Sequence, residues 1–171
     1  MKKILVISIV MLAFATSIFA QVTATATATA TIVTPITITN AGNMSFGNVI
    51  PSATLTGTVI VSPAGAATYS NVTASVLPAL TATISAASFN VTGTPAATYS
   101  ITLPSTDVTL TGPTSTMLVN TFTSTPTPTG TLSSPAGTQT LLVGATLHVG
   151  IAQAAGTYTT ATPFDVTVNY N

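Results

Sequence analysis

From Val22 to Ile38 the chain alternates. Val22, Ala24, Ala26, Ala28, Ala30, Ile32, Ile36 and Ile38 share the even parity, and Thr fills the odd positions except at Val33 and Pro35. A period of two places these apolar side chains on one face of an extended strand. At about 3.3 Å per residue, Val22 to Ile32 alone spans on the order of 35 Å, nearly twice an ordinary strand. Such a strand needs a sheet, either its own or a neighbour's.

The residues before it read as an export leader. Lys2 and Lys3 form a basic start, Ile4 to Phe14 an apolar run, and Ser17-Ile18-Phe19-Ala20 ends in a small residue suited to cleavage after Ala20. The apolar run is at or below spanning length with no basic flank behind it, so stable membrane insertion is not expected once the leader is removed. No Cys follows the run to carry a lipid anchor. The expected localisation is secreted or cell surface.

Cleavage would remove both Lys residues, and the chain has no Arg. Residues 21–171 then keep only two carboxylate side chains, Asp107 and Asp165. Charged residues are 2% of the whole chain, against about 25% in a typical soluble domain. Nucleic-acid binding is excluded, because nothing is left to neutralise phosphates. A nearly uncharged surface has little repulsion to keep copies apart, which favours association. Thr, roughly a quarter of the chain, supplies the wetting: its branched Cβ suits a pleated sheet and its hydroxyl faces water. With no Cys the fold uses no disulfide.

Short strands punctuated by Pro and Gly follow the ribbon. They are expected around Met44 to Val49 with a break at Gly47, Leu55 to Val61, Tyr69 to Val76, Leu80 to Ala86, Phe89 to Val91 and Tyr99 to Leu103. Further strands are expected at Val108 to Leu110, at Leu118, Asn120 and Phe122 on one parity, at Leu141 to Ile151 on one parity, and at a last strand whose core residues are Phe164, Val166, Val168 and Tyr170. The Thr/Ser/Pro/Gly tract from Thr123 to Gly137 reads as loop. Ala-Ala-Thr-Tyr-Ser occurs at Ala66 to Ser70 and at Ala96 to Ser100, as a turn leading into a strand. No helical period follows the leader. The pattern argues an all-β sandwich or barrel, with a leader at 1–20, a ribbon at 21–31 and one domain at 32–171.

Chemistry has little to work with. His148 lies on the polar parity of its strand, Asp165 is outward on the last strand, and Asp107 follows Pro104-Ser105-Thr106, a turn context. No catalytic spacing joins them. One His, no Cys and two separated Asp make no metal site. The expectation is a non-enzymatic protein with no cofactor.

The motifs ATATIVTPITITN (Ala28 to Asn40), MSFGNV (Met44 to Val49), VTGTP and ATYSITLP (Val91 to Pro104), TLHVG (Thr146 to Gly150), AGTYTT (Ala155 to Thr160) and FDVTVNY (Phe164 to Tyr170) together resemble the bacterial family known as domain of unknown function 4402. That resemblance implies an exported β-sandwich and no activity. The Ala-Gly-Thr-Tyr turn before a terminal alternating strand is also similar to secreted pilin-like subunits of the spore-coat-protein-U type. Their incomplete immunoglobulin-like sandwich is completed by the amino-terminal extension of the next subunit, so the two likenesses together imply an all-β, immunoglobulin-like antiparallel β-sandwich here. This chain departs from that group in lacking Cys.

Two functional readings stand side by side. In one, Val22 to Ile32 is a donor strand that fills a groove in another copy or a related subunit, making a fibre. In the other, the ribbon returns to its own sheet, and the protein is a self-contained surface or secreted domain that binds an unknown partner.

Overall fold

The computed structural model describes residues 21–75 and 82–171. The expected export leader with its expected cleavage after Ala20, and the ends of the two expected strands at Val76 and Leu80, lie outside the described residues. Among the described residues every regular element is a strand and every pairing is antiparallel. No helix there is long and apolar enough to cross a membrane.

The chain divides into two units after Ile32. In the first, residues 21–32 carry no strand and every side chain is exposed, Val22 at 92% and Ile32 at 97%. The alternation therefore runs further than the strand it announces. Among the described residues, pairing starts at Thr37, opposite Thr92. Beyond Thr92 the partner strand ends and the chain turns at Gly93, so residues before Thr37 have no ladder to extend.

The second unit holds fifteen strands among the described residues: β1 (Thr37–Gly42), β2 (Ser45–Phe46), β3 (Val49–Ile50), β4 (Gly57–Val61), β5 (Ala67–Ser70), β6 (Thr73–Ala74), β7 (Ile84–Ser85), β8 (Ala87–Thr92), β9 (Thr98–Thr102), β10 (Val108–Thr111), β11 (Thr116–Thr125), β12 (Thr129–Thr131), β13 (Thr138–Val149), β14 (Thr159–Thr160) and β15 (Thr167–Tyr170). Eight of them form one sheet in the order β1-β8-β13-β11-β10-β14, with β4 also on β13 and β5 on β4. Facing it is a three-stranded sheet, β12-β9-β15, and two short pairs, β2-β7 and β3-β6.

β13 is the spine. Its first half, Thr138 to Val143, pairs with β8 and its second half, Ala145 to Val149, pairs with β4, while β11 runs along the other edge. Leu141, Val143, Ala145, Leu147 and Val149 are all buried on one face, as the alternation predicts. The core lies along that face in two parts. Toward the start of β13, Leu141 and Val143 meet Phe89 and Val91 of the large sheet, Tyr99 and Val168 of the small one, and Val166 just before β15. Toward its end, Leu147 and Val149 meet Val59, Val61 and Val119, covered by Phe46, Val49 and Ile84. Two facing sheets with an apolar interior make a β-sandwich.

Several details differ from the expectation. Thr121 has φ of 52° and is the extra residue of a bulge: β11 advances from Asn120 to Thr123 while β13 steps from Thr146 to Gly144. The bulge flips the parity, so Val119 and Phe122 face inward and Leu118, expected on the apolar side, is 41% exposed. Leu55 and Ile151 lie beyond the ends of β4 and β13 and are exposed. The Thr/Ser/Pro/Gly tract contains β12 and the fully buried Leu132, so it is not all loop. Gly47, at φ of 70°, separates β2 from β3 as a Gly in a short strand suggests. Both Ala-Ala-Thr-Tyr-Ser copies do lead into strands, β5 and β9.

Candidate functional site

β1 ends the large sheet and β15 ends the small one; among the described residues each is paired along one edge only. Below them, Val166 and Val168 are buried, and Ile36, Ile38, Phe164 and Tyr170 are half-buried against the same core. Phe164 packs on Phe122, ring centroids 5.0 Å apart. The four terminal residues named from the sequence thus gather at one margin of the sandwich, while Asp165 points to solvent.

Hydrogen bonds tie that margin together. The Thr94 N–H donates to Tyr170 Oη (2.6 Å), and Tyr170 Oη donates to the Thr34 carbonyl (2.7 Å). Thr34 N–H donates to Thr94 Oγ1 (3.1 Å), which donates back to the Thr34 carbonyl (3.2 Å). The tie falls three residues before β1, where no strand partner remains, so side chains supply what the ladder cannot. Gly93 makes room for it: a Cβ there would run into the Tyr170 hydroxyl.

The free edge of β15 has a definite polarity. Asn171 N–H donates to the Thr98 carbonyl, so the odd residues of β15 direct their backbone groups to β9. By alternation, the N–H and C=O groups of Val168 and Tyr170 point away from it, toward the open side. A row of unpaired backbone groups is a template for another strand.

The donor-strand residues named from the sequence, Val22, Ala24, Ala26, Ala28, Ala30 and Ile32, are all exposed and in no ladder.

A second cluster lies on the outer face of the large sheet. His148 Nε2 is 2.8 Å from Asn120 Oδ1, and Asn120 Nδ2 donates to Asp107 Oδ1 at 3.1 Å. A carboxylate only accepts, so the Asn120 amide must turn its NH₂ to Asp107 and its oxygen to the ring. That fixes Nε2 as the protonated nitrogen of His148 and leaves Nδ1 as a free lone pair in the neutral ring. Thr121 Oγ1 donates a second bond to the same amide oxygen (3.1 Å). The sequence places His148 on the polar face and Asp107 in a turn context, but the bulge that aims Asn120 between them has no local signature in the sequence.

His148 borders a hollow of about 490 Å³ whose walls include Thr58, Ser70, Asn71, Leu118 and Gln153. Gln153 is held fast: its amide donates to Ser115 Oγ (2.8 Å) and Tyr158 Oη (2.9 Å) and accepts from the Gly150 N–H (3.0 Å). Tyr158 Oη in turn donates to the Ala154 carbonyl (2.8 Å). Among the described residues no three His, Cys, Asp or Glu gather as a metal site.

Compared with known proteins, the chain has no significant match among curated proteins and none among solved structures. A family model does match, over residues 36–170. Its bounds take in every strand from β1 to β15 and stop short of the exposed ribbon. With most of its length inside that match, the chain belongs to the family described as Domain of unknown function (DUF4402).

Proposed function

We propose that the protein is a non-enzymatic, exported structural subunit that assembles head to tail by strand addition. The ribbon from Val22 to Ile32 of one copy lies along the open edge of β15 in the next. The observation that carries this reading is the state of the ribbon: a period-two sequence with Val22 at 92% and Ile32 at 97% exposure and no strand partner among the described residues. A strand-like segment left unpaired gains most from a partner that supplies both a ladder and an apolar face.

The chemistry of the two surfaces fits. The ribbon offers small Ala side chains, which suit a margin already rimmed by the large rings of Phe164 and Tyr170. Around four backbone hydrogen bonds, to the N–H and C=O groups of Val168 and Tyr170, would form at about 0.5 to 1.5 kcal/mol each. Burial of Val22 and Ile32 would add roughly 1.5 to 3 kcal/mol each. Donor and acceptor are different surfaces, so the contact repeats along a fibre unless it closes into a ring. Residues 21–171 contain no Lys or Arg, so little repulsion opposes such stacking.

The test is deletion of residues 21–31. Under this reading the deleted protein makes no polymer, and a peptide of residues 21–31 binds it with a defined stoichiometry. If instead the full-length protein is a stable monomer at every concentration, the self-contained domain is the correct description.

A further inference from the structure

The outer face of the large sheet carries a row of side chains apart from the β15 margin. Ser70, Thr58, His148 and Leu118 stand directly opposite one another on β5, β4, β13 and β11. At the usual strand spacing of about 4.8 Å, that row is roughly 15 Å long. It crosses the 490 Å³ hollow, a size within the range of small-molecule sites.

The composition of the row selects its ligand by chemistry. Residues 21–171 have no Lys or Arg, and the formal charge nearest the ring is the Asp107 carboxylate, so an anion would meet no compensating cation. Hydroxyls at Thr58 and Ser70 both donate and accept, and the free Nδ1 of His148 accepts only, in the tautomer imposed by Asn120. Leu118, 41% exposed, supplies an apolar surface beside them. Alternating hydroxyls and C–H faces are what such a row matches. The geometry points to a binding site for a neutral saccharide, with His148 as the acceptor for one sugar hydroxyl and Asn120 as the positioning residue that keeps that acceptor free.

His148 is the single His of the chain, so histidine-selective ¹⁵N labelling reports on this one ring. The full protein is titrated with the methyl glycosides of glucose, galactose, mannose and N-acetylglucosamine, and with methyl glucuronide as the charged comparison. The expected result is an ¹⁵Nδ1 shift that saturates with at least one neutral glycoside at a millimolar Kd, and at least several-fold weaker binding of the glucuronide. His148→Ala and Thr58→Val should each weaken binding tenfold or more. Asn120→Leu should mix the ring tautomers in the free protein, seen directly in the ¹⁵N spectrum, and weaken binding several-fold. The assignment is overturned if all four neutral glycosides leave the ring signals unmoved, if the glucuronide binds best, or if binding survives His148→Ala unchanged. His148 is exposed, so the loss of its ring leaves the fold intact as the reference state for these comparisons.

Discussion

Tyr170 Oη and the Thr34 carbonyl are joined by a 2.7 Å hydrogen bond across 136 residues of chain. The bond sits where the backbone ladder of β1 has run out, and it is relayed on to the Thr94 N–H at 2.6 Å. One phenol therefore satisfies a backbone acceptor and a backbone donor that have no strand partner.

Tyr170→Phe removes the hydroxyl while keeping the ring. The Thr94 N–H and Thr34 carbonyl lose it together, and at about 1 kcal/mol per typical bond the expected loss of stability is roughly 1 to 3 kcal/mol. Urea unfolding measures it. Amide hydrogen exchange at Thr94 should speed up in the variant by more than at Val91, which stays in the β8 ladder.

Gly93 and Tyr170 should be energetically coupled. A Cβ at position 93 meets the Tyr170 hydroxyl and, at 3.0 Å, a Leu132 methyl, so Gly93→Ala is expected to cost about 1 to 3 kcal/mol as overpacking. Much of that collision is with the hydroxyl. In the Tyr170→Phe background the same substitution should cost measurably less, by at least about 0.5 kcal/mol. A strictly additive double-mutant cycle would show that the two side chains do not share the space assigned to them.

Burial pushes the Tyr99 hydroxyl above its ordinary value of about 10. Its side chain is fully enclosed, with Oη donating to Gln139 Oε1 at 2.7 Å. The folded chain thus holds this proton more tightly than the unfolded chain does. Stability from this position is complete below about pH 10 and falls as the pH rises from there through the raised folded value, by up to about 1.4 kcal/mol per pH unit. Urea midpoints at pH 9 to 11 for the wild type and Tyr99→Phe should converge as the pH rises, because the variant lacks this proton. At neutral pH the variant is expected to be the weaker by about 1 kcal/mol, having left Gln139 without its donor.

How far the residues announced all this depends on the range of the interaction. The buried stripe of β13 is written in the spacing of Leu141, Val143, Ala145, Leu147 and Val149, because a strand's period is local. The inward face of β11 was not legible: it depends on Thr121 taking a left-handed backbone, which Thr rarely does and which pairing with β13 enforces. The same bulge sets Asn120 between Asp107 and His148, so the polar relay was hidden for the same reason. At Val22 to Ile32 the pattern reads as a strand, yet among the described residues it pairs with none. Periodicity records what face a segment can bury, while pairing also needs a partner edge.

The β15 edge gives the sharpest check on assembly. Thr167 and Asn169 have exposed side chains, and the backbone groups of Val168 between them point to the open side. Lys at an edge strand deters pairing with another strand, because docking must desolvate or crowd its charge. Thr167→Lys with Asn169→Lys replaces two exposed side chains, so the sandwich should keep its stability to within about 1 kcal/mol. The same two charges should abolish polymer seen by sedimentation and electron microscopy, and should cut binding of the 21–31 peptide at least tenfold. Raising the salt to 1 M, where the screening length falls to about 3 Å, should restore part of the assembly. A doubly substituted protein that still polymerises like the wild type would remove β15 as the acceptor.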